Sequence, residues 1–145
     1  MRWLGQAQRA FDLMCHRLNT REAHGTRLAD KQLIQQHVFD SYTEITSARL
    51  MTLAAARTMD AGDQARIEIG ALKVAGARTL HNVVDRALQV YGAEGLTDDT
   101  PLSRMYRAAR LARFYDGPDE VHVQSVAGRL LRRYESGGGR DFSTA

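Results

Sequence analysis

Asp116 stands directly before Gly117-Pro118 in the segment YDGPDEVH, Tyr115–His122. A base that takes a carbon-bound proton must be an ionisable group held rigidly within reach of its substrate, and a carboxylate on a Gly-Pro turn meets that need. The same spacing suits a carboxylate that caps a helix by accepting backbone N–H bonds. Upstream, Gln89, Gly92 and Gly95 in QVYGAEGL read as a turn whose backbone N–H groups can approach a phosphate or an adenine ring. Glycine is equally ordinary there as a helix stop. Arg21, with Gly25 and Gln32, lies at a chain reversal. There a guanidinium can hold a pyrophosphate through paired N–H bonds, or satisfy the last carbonyls of a helix. Arg104, Arg107, Arg110 and Arg113 recur at three-residue steps that drift around a helix, the spacing of a solvated or interface face. The five histidines show no ligand spacing beside Cys or acidic partners, so no metal site is expected.

The elements that must position these residues read as helices throughout. Trp3, Leu4, Ala7, Phe11, Met14, Cys15 and Leu18 recur at three- and four-residue steps and mark one apolar helix face. That pattern is in phase from residue 3 without a cap, which points to a truncated or split gene product. Gly25 is expected to stop this helix, and Thr26–Asp30 to form a loop. A second helix is expected from about Ala29 to Asp60, with the apolar run Leu50–Met59 buried on more than one side. Asp60–Asp63 makes a turn, and a third helix covers about Gln64–Tyr91, where Gly70, Ala71, Ala75, Gly76 and Ala77 permit close helix–helix approach. Thr100-Pro101 reads as a cap followed by proline at the first helical position, opening a short helix to about Phe114. A last helix runs from Pro118 through Tyr134, with Asp119 and Glu120 placed where the helix dipole favours acids. No segment has a strand period. The fold class is all-α: an antiparallel four-helix-type bundle over residues 1–134, followed by a flexible tail at 135–145.

A chain of 145 residues supports one compact domain with a real core, and its 43% apolar and 26% charged residues suit a water-soluble helical domain. The single Cys15 excludes an internal disulfide and reads as a small buried hydrophobe. No apolar run is long enough for a membrane span, no signal peptide is evident, and the cytoplasm is the default location. A net charge of +3 is compatible with an anionic ligand without calling for nucleic acid.

The three groups occur in one order at one set of spacings, and that arrangement resembles the C-terminal helical domain of the acyl-CoA dehydrogenases. RLNTREAHGTRLADKQ (Arg17–Gln32) resembles the family's segment that ends one bundle helix and opens the next. QVYGAEGL resembles its Gln-x-x-Gly-Gly-x-Gly-aromatic turn, and PLSRMYRAARLARFYDGPDEV (Pro101–Val121) its stretch from proline to the catalytic carboxylate. The resemblance implies a flavoprotein oxidoreductase of fatty acid oxidation with FAD as cofactor and an acyl-CoA thioester as substrate. It implies a homo-oligomer, or a partner chain carrying the family's N-terminal helical and β-domains, which have no counterpart here. By the same resemblance, Asp116 is the base that removes the α-proton, Gly117 lies against the thioester, and Arg21, Gln32, Gln89 and Gly92 contact the pyrophosphate and adenosine part of FAD, largely on a neighbouring subunit. Asp116 stands where most relatives have Glu, Pro118 where many have Thr, Ala93 at the second Gly of the turn, and His24 at a frequent Phe. The DGPDEVH form is similar to a branch that uses Asp as base, some members of which are fused to a phosphotransferase-like kinase domain. Alone, the chain is expected to be inactive; a non-catalytic oligomerisation or assembly module is the alternative.

Overall fold

The computed structural model describes residues 1–138, and five α-helices dominate them: α1 (Arg2–Thr20), α2 (Gln32–Asp60), α3 (Arg66–Tyr91), α4 (Leu102–Leu111) and α5 (Asp119–Glu135). α3 is the central post and touches each of the other four helices. It can do so because it is buried around most of its circumference, through Val74, Ala77, Leu80, Val83, Val84, Ala87 and Val90. Small residues bring its neighbours close: a Cβ on Gly70 would meet Val126 of α5 at 2.7 Å, and one on Gly76 would meet the Trp3 ring of α1 at 3.4 Å.

α1 buries Leu4, Ala7, Ala10, Met14 and Leu18 against α3, the stripe its periodicity requires. Tyr91 donates its hydroxyl to Leu13 O, and Arg17 pairs with Glu94 at 2.6 Å, so the C-terminal ends of α1 and α3 lie together. α2 runs the other way: Arg86, late in α3, reaches Ser41 and Glu44, early in α2, at 3.3 and 2.6 Å. α5 is also antiparallel to α3, its Asp119 facing Lys73 and Arg78 and its Val126 facing Gly70. The all-α bundle is therefore as expected, with one addition.

That addition lies between α1 and α2. α1 ends at Thr20, with Arg21 extended, before Gly25 is reached. Glu22–Ala23 (β1) and Thr26–Arg27 (β2) then pair as a minimal antiparallel hairpin. Its two turn residues, His24 and Gly25, have φ of 56° and 77°, the conformation of a two-residue hairpin loop. A 3-10 turn at Leu28–Asp30 follows, and α2 starts at Gln32 rather than Ala29. The Leu50–Met59 run is also not enclosed as expected. Within it Ala55 is buried, whereas Leu50 and Met59 are 62% and 53% exposed. Glu135–Gly138, expected to begin a tail, instead complete and cap α5, with Gly137 and Gly138 donating to Tyr134 O and Arg133 O. Residues 139–145, the rest of that tail, lie outside the described residues. Among the described residues no helix is long and apolar enough to cross a membrane.

Candidate functional site

The corner between α4 and α5 holds Asp116. Thr100 Oγ1 accepts from Leu102 N–H at 3.4 Å and helps to open α4, which ends at Leu111. Beyond that end, Asp116 and Gly117 both take positive φ, 58° and 94°. Gly117 takes this region freely, whereas Asp116, although Asp is among the few side chains that tolerate it, carries a cost of about 1–2 kcal/mol that its surroundings must offset. α5 begins at Asp119 with Pro118 as its N-cap and no side-chain capping bond. The exposed Asp116 carboxylate thus caps no helix, and among the described residues it makes no hydrogen bond.

Support for the corner comes from its backbone and from Asp119. His122 Nε2 bonds the Asp116 carbonyl at 2.8 Å, and Lys73 Nζ donates to the Gly117 carbonyl. Asp119 is buried; its Oδ2 accepts from Arg113 Nε at 2.8 Å and lies 3.6 Å from Arg78 Nε. Its Oδ1, 3.6 Å from Lys73 Nζ, has no hydrogen-bond partner among the described residues. A buried carboxylate persists only when opposite charge surrounds it, and here three cations do. From the sequence, Asp119 is expected in a first helical turn and Arg113 on a solvated or interface face; the structure joins them. Lys73 and Arg78 lie more than 40 positions away in sequence, and no local pattern flags such partners. Trp3 Nε1–H donates to Tyr115 Oη at 2.8 Å, tying the start of α1 to the residue before Asp116.

The other candidates gather at the opposite end of α3. Gln89 and Gly92 close that helix, Gly92 with φ 64° and nothing within 4 Å of where a Cβ would stand. Arg21 and Gln32 bracket the hairpin at the same end, where Leu28 N–H donates to Arg21 O. The side chains of Arg21, Gln32 and Gln89 are exposed and form no hydrogen bond or ion pair among the described residues. Free donors beside an open backbone approach suit an anionic, phosphate-bearing ligand. From Lys73, beside Asp116, to Gln89 is roughly 16 residues, or about 24 Å of helix. Within one chain the structure therefore does not bring Asp116 and Gly117 together with Arg21, Gln32, Gln89 and Gly92.

Residues 1–131 match the family described as "Acyl-CoA dehydrogenase, C-terminal domain". The chain belongs to the acyl-CoA dehydrogenase family. It is 44% identical to the probable acyl-CoA dehydrogenase FadE2 of Mycobacterium tuberculosis over 94% of its own length and 34% of the relative's. It is 40% identical to acyl-CoA dehydrogenase family member 11 of Homo sapiens, over 91% of its own length and 17% of the relative's. Among solved structures, a putative acyl-CoA dehydrogenase from Mycobacterium abscessus superposes with a TM-score of 0.90 at 34% identity, over 92% of this chain and 33% of that one. The chain thus spans about a third of these bacterial dehydrogenases.

Proposed function

We propose that this bundle serves as the C-terminal domain of a flavin-dependent acyl-CoA dehydrogenase, with Asp116 as the base for α-proton removal. The observation that carries the reading is the Asp116 carboxylate itself: it is exposed, caps no helix, and stands on a tethered corner. A carboxylate with no structural bond to satisfy is available to take a proton. In this reading Gly117 lies against the thioester and limits where the α-carbon can sit. Arg21, Gln32, Gln89 and Gly92 hold the pyrophosphate and adenosine part of FAD. Because they stand about 24 Å along α3 from the Asp116 corner, they serve the site of a neighbouring subunit, and Asp116 serves its own. Bound FAD supplies the two-electron acceptor for the β-hydride. The side chains that would surround the flavin ring and most of the acyl-CoA belong to parts of the relatives that these 145 residues do not match, so the chain alone turns over no acyl-CoA.

The deciding experiment is Asp116→Asn in the flavin-loaded holoenzyme that contains this bundle. The carboxamide keeps shape and loses basicity. Flavin content and acyl-CoA binding should hold, while flavin reduction should fall by about 10²- to 10⁴-fold. Reduction at the parental rate would remove Asp116 from the chemistry.

A second reading, an assembly module without chemistry, is favoured by one observation. α2 exposes Leu33 (84%), Phe39 (64%) and Leu50 (62%), large apolar side chains that the other described residues leave open. A second copy of the bundle is the proposed cover, since isologous pairing of like faces is the commonest oligomer geometry. Sedimentation of the 145-residue chain tests it: a monomer at tens of micromolar concentration defeats this reading.

A further inference from the structure

Both carbonyls of the Asp116–Gly117 corner are tied by side chains, and the two ties come from different helices. His122 of α5 holds the Asp116 carbonyl at 2.8 Å, and Lys73 of α3 donates to the Gly117 carbonyl. The Lys73 side chain is only 9% exposed and stands between that carbonyl and Asp119 Oδ1, 3.6 Å away. Asp119 is fixed in turn by Arg113 Nε at 2.8 Å and by its own N–H donating to Arg113 O at 3.2 Å. The end of α4, the start of α5 and the first third of α3 therefore meet around these two positive-φ residues.

We propose that Lys73 is the positioning residue for the Asp116 carboxylate, with Asp119 as its counter-charge and His122 as a second tie. The inference rests on the reading of Asp116 as the base and assigns the side chains that aim it. Asp has a short side chain with two χ angles, so the place of its carboxylate is set mainly by the backbone beneath it. At Asp116 that backbone carries a conformational cost, which surrounding contacts must offset. An ammonium carries three rotatable donors and no preferred plane, which lets Lys73 serve a carbonyl and a carboxylate at once. Asp119 pairs across α3 and α5 with both Lys73 and Arg78, whereas the bond to the Gly117 carbonyl is made by Lys73 and bears directly on the corner. Lys73 touches no reacting atom. It acts through the backbone.

The test joins a readout on the folded chain to one on the enzyme. In the 145-residue protein, Lys73→Met should raise amide exchange at Tyr115 and Asp119 by about tenfold while leaving the amides of α1 and α2 unchanged, the mark of local rather than global opening. In the flavin-loaded holoenzyme, assayed with straight-chain acyl-CoAs from butanoyl- to palmitoyl-CoA, Lys73→Met should keep flavin content and KM. The limiting rate of flavin reduction should fall by about 10²-fold, the penalty of a misplaced reacting group. The deuterium isotope effect with α-deuterated substrate should rise as proton removal becomes slower. Lys73→Arg, which keeps a cationic donor, should restore part of the rate. His122→Leu, at a half-buried site, should give a smaller effect in the same direction and keeps the test valid if Lys73→Met folds poorly. Corner exchange that is unchanged, or that rises equally across the bundle, overturns the proposal. So does a loss carried by KM alone. If the parent holoenzyme reduces no flavin with any of these substrates, the dehydrogenase reading fails, while the exchange result still decides whether Lys73 holds the corner.

Discussion

Trp3 Nε1–H donates to Tyr115 Oη at 2.8 Å, and the two rings sit 5.8 Å apart with their planes tilted by 52°. This contact spans 112 positions in sequence and joins the first turn of α1 to the residue before Asp116. Trp3 is the sole tryptophan, so no other indole contributes to the emission that reads this contact. Tyr115→Phe keeps the ring and removes the acceptor. Stability should fall by about 0.5–1.5 kcal/mol, the net worth of one hydrogen bond, and tryptophan emission should shift to the red as the indole N–H turns to water. Urea unfolding followed by fluorescence measures both. An unchanged emission maximum would show that the indole is not bonded to Tyr115 in solution.

Gly70 and Gly76 lie on one helix and predict opposite outcomes for one substitution. At Gly70 a methyl would stand 2.7 Å from Val126 Cγ2, closer than packed carbons allow, so Gly70→Ala must displace the Val126 side chain or α5 with it. The expected cost is about 1–3 kcal/mol, and Val126→Ala in the same chain should recover most of it. At Gly76 the methyl would meet Trp3 Cε3 at 3.4 Å, an ordinary contact. Gly76→Ala should be neutral or stabilising by up to about 1 kcal/mol, since alanine is the better helix former. Thermal melts of the three variants check the pattern.

What was legible in the sequence was whatever repeats with the helix. The Leu4–Leu18 stripe, the turn at Asp60–Asp63 and the Thr100-Pro101 start of α4 all follow from local pattern, and each stands where expected within a few residues. The hairpin was hidden because a two-residue strand has no period to detect, and because His24 takes the positive φ that Gly25 would ordinarily flag by itself. α2 misled for a different reason. An all-round apolar stretch signals burial on several sides, but among the described residues Leu50 and Met59 stay mostly exposed. At the candidate site, Asp116 was visible through its Gly-Pro neighbours. Asp119 was not, because an acid in a first helical turn looks the same whether it faces water or three cations. Only the packing of α5 on α3 distinguishes them.

Cys15 gives a pH-dependent prediction. It is half-buried against Phe11, Leu18, Ala29 and Val38, beside a cavity of about 490 Å³ between α1 and α2. Burial first, and the Asp12 carboxylate second, push its thiol pKa up. The folded chain then keeps the thiol proton to higher pH than the unfolded chain does. The stability this contributes is complete below the unfolded thiol's pKa of about 8.5 and is lost as pH rises through that value toward the folded one. Alkylation by iodoacetamide at mildly alkaline pH should therefore be several-fold slower than in the urea-unfolded chain, because the thiolate is the nucleophile. Asp12→Asn should narrow that gap only slightly. Equal rates in folded and unfolded protein would show that the thiol is neither shielded nor shifted.

Asp119 provides the strongest prediction on stability. Its side chain is 3% exposed, against 9% for Lys73, 30% for Arg113 and 53% for Arg78. Asp119→Asn removes the one negative charge and keeps the volume. Arg78 and Arg113 can turn toward water, but Lys73 cannot, and an uncompensated buried cation remains. The cost should be about 3 kcal/mol, the low end for breaking a buried pair, because two of the three partners are partly solvated. Replacing both members of the buried pair removes that stranded charge. The double variant Lys73→Met with Asp119→Leu should therefore be more stable than Asp119→Asn alone, although it carries more substitutions, since apolar packing replaces a buried ion pair at little net cost. It should still lose the ordered corner, because the Gly117 carbonyl no longer has its donor. Urea midpoints rank the variants, and amide exchange at Tyr115 and Val121, on either side of the corner, reads its order. If the double variant proved the less stable of the two, the cluster would be held by its hydrogen bonds to Arg113 rather than by the charge it places beside Lys73.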